Sequence, residues 1–150
     1  MLRRRAEIYF DRERRIVYSW RFNLVLATTF DELGIIEDIR GLQLVLCGEN
    51  AKDDYGWRRI LIQPTTQPFF NRVAENKYLL AAIVKFMEHG REAIIIGDSF
   101  RRPPTWSLFV DRRPRNFETR LQGILDNLRD TRGGLCDEAR ASLAATRADC

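Results

Sequence analysis

Apolar and polar residues alternate along the first part of the chain. From Ile16 to Leu26 every second residue is apolar, and this period of two predicts one long β-strand with a strongly apolar face. A shorter strand is predicted from about Ala6 to Phe10, and the polar residues 11–14 between the two predict a hairpin loop. Phe30 to Leu33 then predicts a short helical segment.

Two further hairpins are predicted along the chain. The second pairs Leu42 to Cys47 with Trp57 to Gln63 across the polar loop 48–56. The third pairs Ala93 to Ile96 with Trp106 to Val110. Consecutive hairpins form an antiparallel sheet, and an apolar face of such a sheet needs helices to cover it.

The period becomes helical in two other stretches. Between about Phe69 and His89 apolar residues recur on one helix face, and Gly90 is a natural helix stop. A second helix is predicted after Asn116 as its cap, because apolar residues follow at helical spacing: Phe117, Leu121, Ile124, Leu125 and Leu128. The chain is therefore expected to form one α+β domain over residues 1–132, with 133–150 as a C-terminal tail or weak helix.

Composition narrows the function classes. The 150 residues carry 22 Arg but only 3 Lys, for a net charge of +4, and no apolar run reaches the roughly 18 residues of a membrane helix. The three cysteines are Cys47, Cys136 and Cys150, whose odd number and wide spacing favour a reducing compartment, the cytoplasm or also the nucleus. One histidine makes zinc hydrolases and histidine-dependent triads very improbable. We expect no metal, no cofactor and no membrane association.

Two motifs suggest chemistry and have plainer interpretations. Gly97-Asp98-Ser99 after a strand resembles the nucleophile block of GDS-type lipases, but no histidine follows it to serve as base. A simple turn is the favoured interpretation, and catalysis is not expected. The acidic residues Glu49, Asp53 and Asp54 form either a solvated loop or a group that reads a ligand.

Aromatic and basic residues at the predicted hairpins suggest a flat anionic ligand. Trp20 and Trp57 are either core anchors or stacking surfaces, and stacking on a base is worth roughly 1–3 kcal/mol. Several arginines lie in or beside the last hairpin, where they are either solvated or able to reach phosphates: Arg101, Arg102, Arg112 and Arg113.

The run Ser19-Trp20-Arg21-Phe22-Asn23-Leu24-Val25-Leu26, followed by Thr29 to Glu32, resembles the signature of the translation-initiation cap-binding proteins (initiation factor 4E-like). Residues 57–62, 78–83 and 93–110 are similar to later elements of that family. The resemblance implies a curved antiparallel sheet of three hairpins, backed by two or three helices.

The resemblance also implies non-catalytic binding of 7-methylguanosine-capped RNA or a related nucleotide, in translation control. In that family two aromatic rings sandwich the charged base, a carboxylate reads its N–H groups, and basic residues hold the phosphates. Here the cap loop is shorter and lacks the family's Trp-Glu pair, so the alternative is an interaction module with a vestigial slot that binds a protein partner or RNA through arginine surfaces. The expected site comprises Trp20, Trp57 and Tyr55 for stacking, Glu49, Asp53 and Asp54 for the base, and Arg101, Arg102, Arg112 and Arg113 for phosphate.

Overall fold

A computed structural model describes residues 8–38, 41–50, 54–62, 72–93 and 112–130 of the chain. Every strand pairing among them is antiparallel, and the sheet curls into a half-barrel accompanied by two helices. The predicted α+β class and curved sheet are confirmed. The strands are β1 (Ile8–Asp11), β2 (Ile16–Arg21), β3 (Leu24–Thr29), β4 (Gly34–Asp38), β5 (Gly41–Glu49) and β6 (Tyr55–Ile62), and the helices are α1 (Arg72–His89) and α2 (Phe117–Asp130).

Strand β5 is the centre of the sheet. The strand order is β1-β2-β3-β5-β4, and β6 pairs with the other edge of β5. Strands β3 and β4 share one edge of β5: Ala27 lies opposite Cys47, whereas Gly34 lies opposite Val45. A 3-10 turn over Phe30–Glu32 separates β3 from β4, which confirms the predicted short helical segment. Strand β4 itself was not predicted.

The long strand predicted from the alternating pattern is wrong, because the chain reverses inside it. Phe22 and Asn23 have φ angles of 50° and 62°, and positive φ at both central residues is what a two-residue type I′ hairpin turn requires. Trp20 consequently lies opposite Val25. The prediction that Trp20 shares a face with Leu26 is therefore also wrong, since Leu26 packs in the core on the other side of the sheet.

Each face of the sheet is covered by its own helix. On one face, α2 packs its buried Phe117, Leu121, Ile124 and Leu128 against Ile16, Val25, Ala27 and Cys47. On the other, Ile83 and Met87 of α1 pack against Val17, Leu26, Leu42, Leu44 and Leu46. Each fully buried aliphatic side chain contributes about 1.5–3 kcal/mol. Two covered faces explain why the strands are apolar at both parities.

The helix predictions are confirmed within the described residues. Helix α1 ends at His89, and Gly90 follows it with a φ of 87°. Helix α2 begins directly after Asn116 and buries four of the five predicted apolar residues, while Leu125 is partly buried. Ala93, predicted to begin the third hairpin, instead ends a 3-10 turn over Arg91–Ala93. The rest of that hairpin and the tail from residue 133 lie outside the described residues.

Candidate functional site

Trp20 belongs to an aromatic cluster beneath α2. Its ring stacks on Tyr9 at a centroid distance of 4.9 Å with an interplanar angle of 10°, and meets Phe117 edge-on at 5.5 Å. Tyr9 also stacks on Tyr18 at 5.2 Å. A base held between two rings needs them roughly 7 Å apart, so the Tyr9–Trp20 pair leaves no space for one.

Trp57 lies on the same face of the sheet as Trp20 but not across from it. Trp57 is opposite Cys47, Cys47 is opposite Ala27, and Ala27 is opposite Tyr18. Strands β3 and β5 thus separate β2 from β6, a path of about 14 Å along the sheet at the usual strand spacing. Helix α2 packs on Ala27 and Cys47 between the two tryptophans. The structure does not bring Trp20 and Trp57 together as a two-ring slot.

Three of the expected site residues lie together around a second feature, a cleft of about 470 Å³ that we call the acidic cleft. At its edge the Asn50 N–H donates to the Asp54 carbonyl over 2.7 Å. The Asp54 carboxylate accepts a 2.8 Å hydrogen bond from the Tyr55 N–H. The cleft is lined by Asn23, Leu24, Glu49, Asn50, Asp54, Tyr55 and Arg120.

A larger cleft of about 560 Å³, the basic cleft, adjoins the acidic one. It is lined by Phe22, Asn23, Arg112, Arg113, Pro114, Arg115 and Arg120. The Arg113 guanidinium lies 4.2 Å from the Phe117 ring centroid and pairs with Glu118. Arg112 and Arg115 are exposed, and no described residue forms an ion pair with either.

Asn23 and Arg120 line both clefts, and Arg120 forms an ion pair with Glu49 of the acidic cleft. Arg120 Nε donates to Glu49 Oε1 over 2.8 Å, and Arg120 Nη2 donates to Glu49 Oε2 over 2.5 Å. The same Nη2 donates to the Asn23 carbonyl over 2.6 Å, while the Val25 N–H donates to Glu49 Oε2 over 2.8 Å. One bidentate pair thus ties α2 to β5 and to the β2–β3 turn.

The protonation of Glu49 follows from these contacts. Partial burial raises the pKa of Glu49, but the hydrogen bonds from Arg120 and from the Val25 N–H, together with the charge of Arg120, outweigh it. The net pKa lies below the ordinary value of 4.5. The hydrogen bond to Glu49 raises the pKa of Arg120 in turn. Both partners remain charged at neutral pH.

The structure divides the expected site residues into separate groups. Glu49, Asp54 and Tyr55 line the acidic cleft, and Arg112 and Arg113 line the basic cleft. Trp20 and Trp57 pack against the core under α2, whereas Asp53, Arg101 and Arg102 lie outside the described residues.

Sequence reasoning did not place Phe22 or Arg120 at the site, although both line the basic cleft. A signal existed for Arg120. It stands three residues after Phe117 and four before Ile124, so it falls on the apolar stripe of α2. A charge at such a position indicates a partner on the element beneath.

The chain matches no family model, no curated protein and no solved structure. The fold is an antiparallel α+β domain with adjoining clefts of opposite charge. Neither described helix has the length and apolar character to cross a membrane. The described ranges contain no group of three or more His, Cys, Asp or Glu residues placed to hold a metal ion.

Proposed function

We propose that this chain binds 7-methylguanosine-capped RNA or a related nucleotide without catalysis, with the base in the acidic cleft and the phosphates in the basic cleft. The observation that carries the proposal is the shared wall of Asn23 and Arg120 between two clefts of opposite charge. A 7-methylguanosine nucleotide has a positively charged base joined to negatively charged phosphates. Its two ends match the two clefts in sign and adjacency.

The acidic cleft supplies the groups for the base. Tyr55 lines the cleft while part of it packs against the core under α2. In this proposal the base stacks on the side of the Tyr55 ring that faces the cleft, which contributes roughly 1–3 kcal/mol. Asp54 is exposed, and a carboxylate has acceptor capacity for base N–H groups beyond the one bond it accepts from the Tyr55 N–H. Glu49 is already engaged by Arg120 and Val25, so Asp54 takes the base-reading role in this proposal.

The basic cleft supplies the groups for the phosphates. Arg112 and Arg115 are exposed in the cleft, and guanidinium groups bind phosphate oxygens by charge-assisted, often bidentate, hydrogen bonds. Arg113 and Arg120 add positive charge while paired with Glu118 and Glu49. Phosphate binding in such a cleft depends steeply on salt, because neutralised phosphates release counterions.

Calorimetric titration with 7-methylguanosine triphosphate and with GTP tests the proposal. We expect tighter binding of the methylated nucleotide, and Asp54→Asn reduces that preference. The Arg112→Ala/Arg115→Ala variant binds both nucleotides more weakly. It also lowers the slope of the logarithm of the binding constant against the logarithm of the salt concentration by about two. Arg91→Ala is the matched control, since Arg91 is an exposed arginine in the 3-10 turn after α1.

Three outcomes are distinguishable. A methyl preference that depends on Asp54 supports the proposal. Equal binding of both nucleotides, still lost in the double arginine variant, replaces it with the alternative of RNA binding through arginine surfaces. Binding of neither nucleotide overturns it, and an interaction module for a protein partner then remains.

A further inference from the structure

Phe22 combines two unfavourable features at one position. Its φ of 50° lies in the left-handed region, which is a genuine outlier for a bulky side chain and which hairpin turns normally give to Asn, Asp or Gly. Its side chain is also 62% exposed. Strained backbone of this kind persists where the surroundings enforce it, and it concentrates at binding sites.

The β2–β3 turn fixes that conformation, because a type I′ turn requires positive φ at both central residues, and Phe22 stands beside positive charge. The Arg120 guanidinium holds the next carbonyl of the turn, that of Asn23, at 2.6 Å. Phe22 lines the basic cleft together with Arg112 and Arg115, and the Arg21 guanidinium lies 5.2 Å from the Phe22 ring centroid. An exposed aromatic ring among arginines is the combination with which proteins bind single-stranded nucleic acid.

We propose that Phe22 is a stacking surface for the nucleotide that follows the one held in the two clefts, so that the ligand is an RNA chain rather than a free nucleotide. This inference rests on the proposed function, because it places the first nucleotide in the clefts. The chain leaves the basic cleft past the β2–β3 turn, and its second base stacks on the Phe22 ring while Arg21 and Arg115 face the backbone phosphates.

The test compares two probes on the same variants by competition fluorescence anisotropy. The first probe is 7-methylguanosine triphosphate, and the second is a seven-nucleotide single-stranded RNA with a 7-methylguanosine 5′ end. Phe22→Ala weakens the affinity for the RNA by roughly 5- to 150-fold, which corresponds to the loss of one stacked base. The same substitution changes the affinity for the mononucleotide by less than about twofold. Phe22→Trp retains RNA affinity. Tyr78→Ala is the control, since Tyr78 is an aromatic residue 70% exposed on α1.

A second variant separates binding from folding. Phe22→Gly removes the ring and relieves the backbone, so the melting temperature rises by about 2–5 °C while RNA affinity falls as it does in Phe22→Ala. A purely structural role for Phe22 predicts the opposite change in melting temperature. Thermal unfolding followed by circular dichroism gives this measurement.

The failure of this inference and the failure of the proposed function look different. Unchanged RNA affinity in Phe22→Ala, or equal weakening of both probes, overturns the stacking role and leaves nucleotide binding in the clefts standing. Binding of the RNA alone, weakened by Phe22→Ala, supports the stacking role and overturns the cap-reading clefts. Binding of neither probe by the unsubstituted chain overturns both.

Discussion

The ion pair between Glu49 and Arg120 can be broken with little change in shape by Glu49→Gln. The substitution removes the negative charge and leaves the Arg120 guanidinium facing a neutral amide. Fully buried pairs cost about 3–5 kcal/mol when one partner is removed, whereas exposed pairs contribute about 0.2–1 kcal/mol. The side chains are 17% and 25% exposed. We therefore expect a loss of about 2 kcal/mol in the free energy of unfolding at pH 7.

The pH dependence of stability provides a second test of this prediction. The pKa of Glu49 in the folded chain lies below its ordinary value of 4.5, so the stability it contributes is complete above about pH 4.5 and is lost as the pH falls through the folded pKa. The free-energy difference between the unsubstituted chain and Glu49→Gln is thus constant near neutral pH and shrinks in acid. Urea unfolding followed by far-UV circular dichroism, from pH 7 down to pH 3, measures it.

Glu118→Gln is the matched control for the charge itself. Glu118 pairs with Arg14 at 3.0 Å and with Arg113, but its side chain is 60% exposed. We expect this substitution to cost less than about 1 kcal/mol. Equal costs for the two variants, or a Glu49→Gln difference that widens on acidification, would refute the reasoning from burial.

Two further predictions test the fold. Gly41→Ala should cost about 2–3 kcal/mol, because Gly41 has a φ of 141° and an added Cβ would lie 2.5 Å from the Ile62 carbonyl oxygen; a melting temperature equal to that of the unsubstituted chain would contradict this. Burial, with a smaller contribution from the Asp54 charge, raises the pKa of the Cys47 thiol to about 11, so only about one thiol in a thousand is ionised at pH 8. In a Cys136→Ser/Cys150→Ser background we expect a disulfide reagent to react with Cys47 only after urea unfolding, and rapid reaction in native buffer would show an exposed thiol.

The sequence predicted the two helices because apolar residues recur at helical spacing, and it predicted most strands because short apolar runs are bounded by polar loops. It failed at the β2–β3 hairpin for a physical reason. Residues paired across a two-residue turn have one even and one odd number, as Trp20 and Val25 do. Even-numbered residues therefore face one side of the sheet before the turn and the other side after it, and the apolar alternation in the sequence continues unchanged. Because helices cover both faces of the sheet, apolar residues are accommodated on either side. Phe22 also gives no turn signal, since Phe is not a residue that normally indicates a turn.

Residues of the candidate site were predictable only where a charged residue stands in a predicted loop or beside a predicted strand. Asp54 and Arg112 stand beside predicted strands or in a predicted loop, and each lines a cleft. Arg120 was out of reach, because its partner Glu49 is 71 positions away and only tertiary packing brings them together. Trp20 was predicted to stack on a ligand, but in the structure its ring stacks on Tyr9 of the neighbouring strand.

The covering of one sheet face by α2 also sets an order of events during synthesis. The strands from β1 to β6 lie within residues 8–62, whereas the helix that covers Ile16, Val25 and Ala27 spans Phe117–Asp130. A ribosome releases these strands before α2, so the sheet face that α2 covers lacks that cover, and is open to any chaperone that binds it, until α2 emerges. Since α2 also carries Arg120, which lines both clefts, the clefts are complete only when α2 docks.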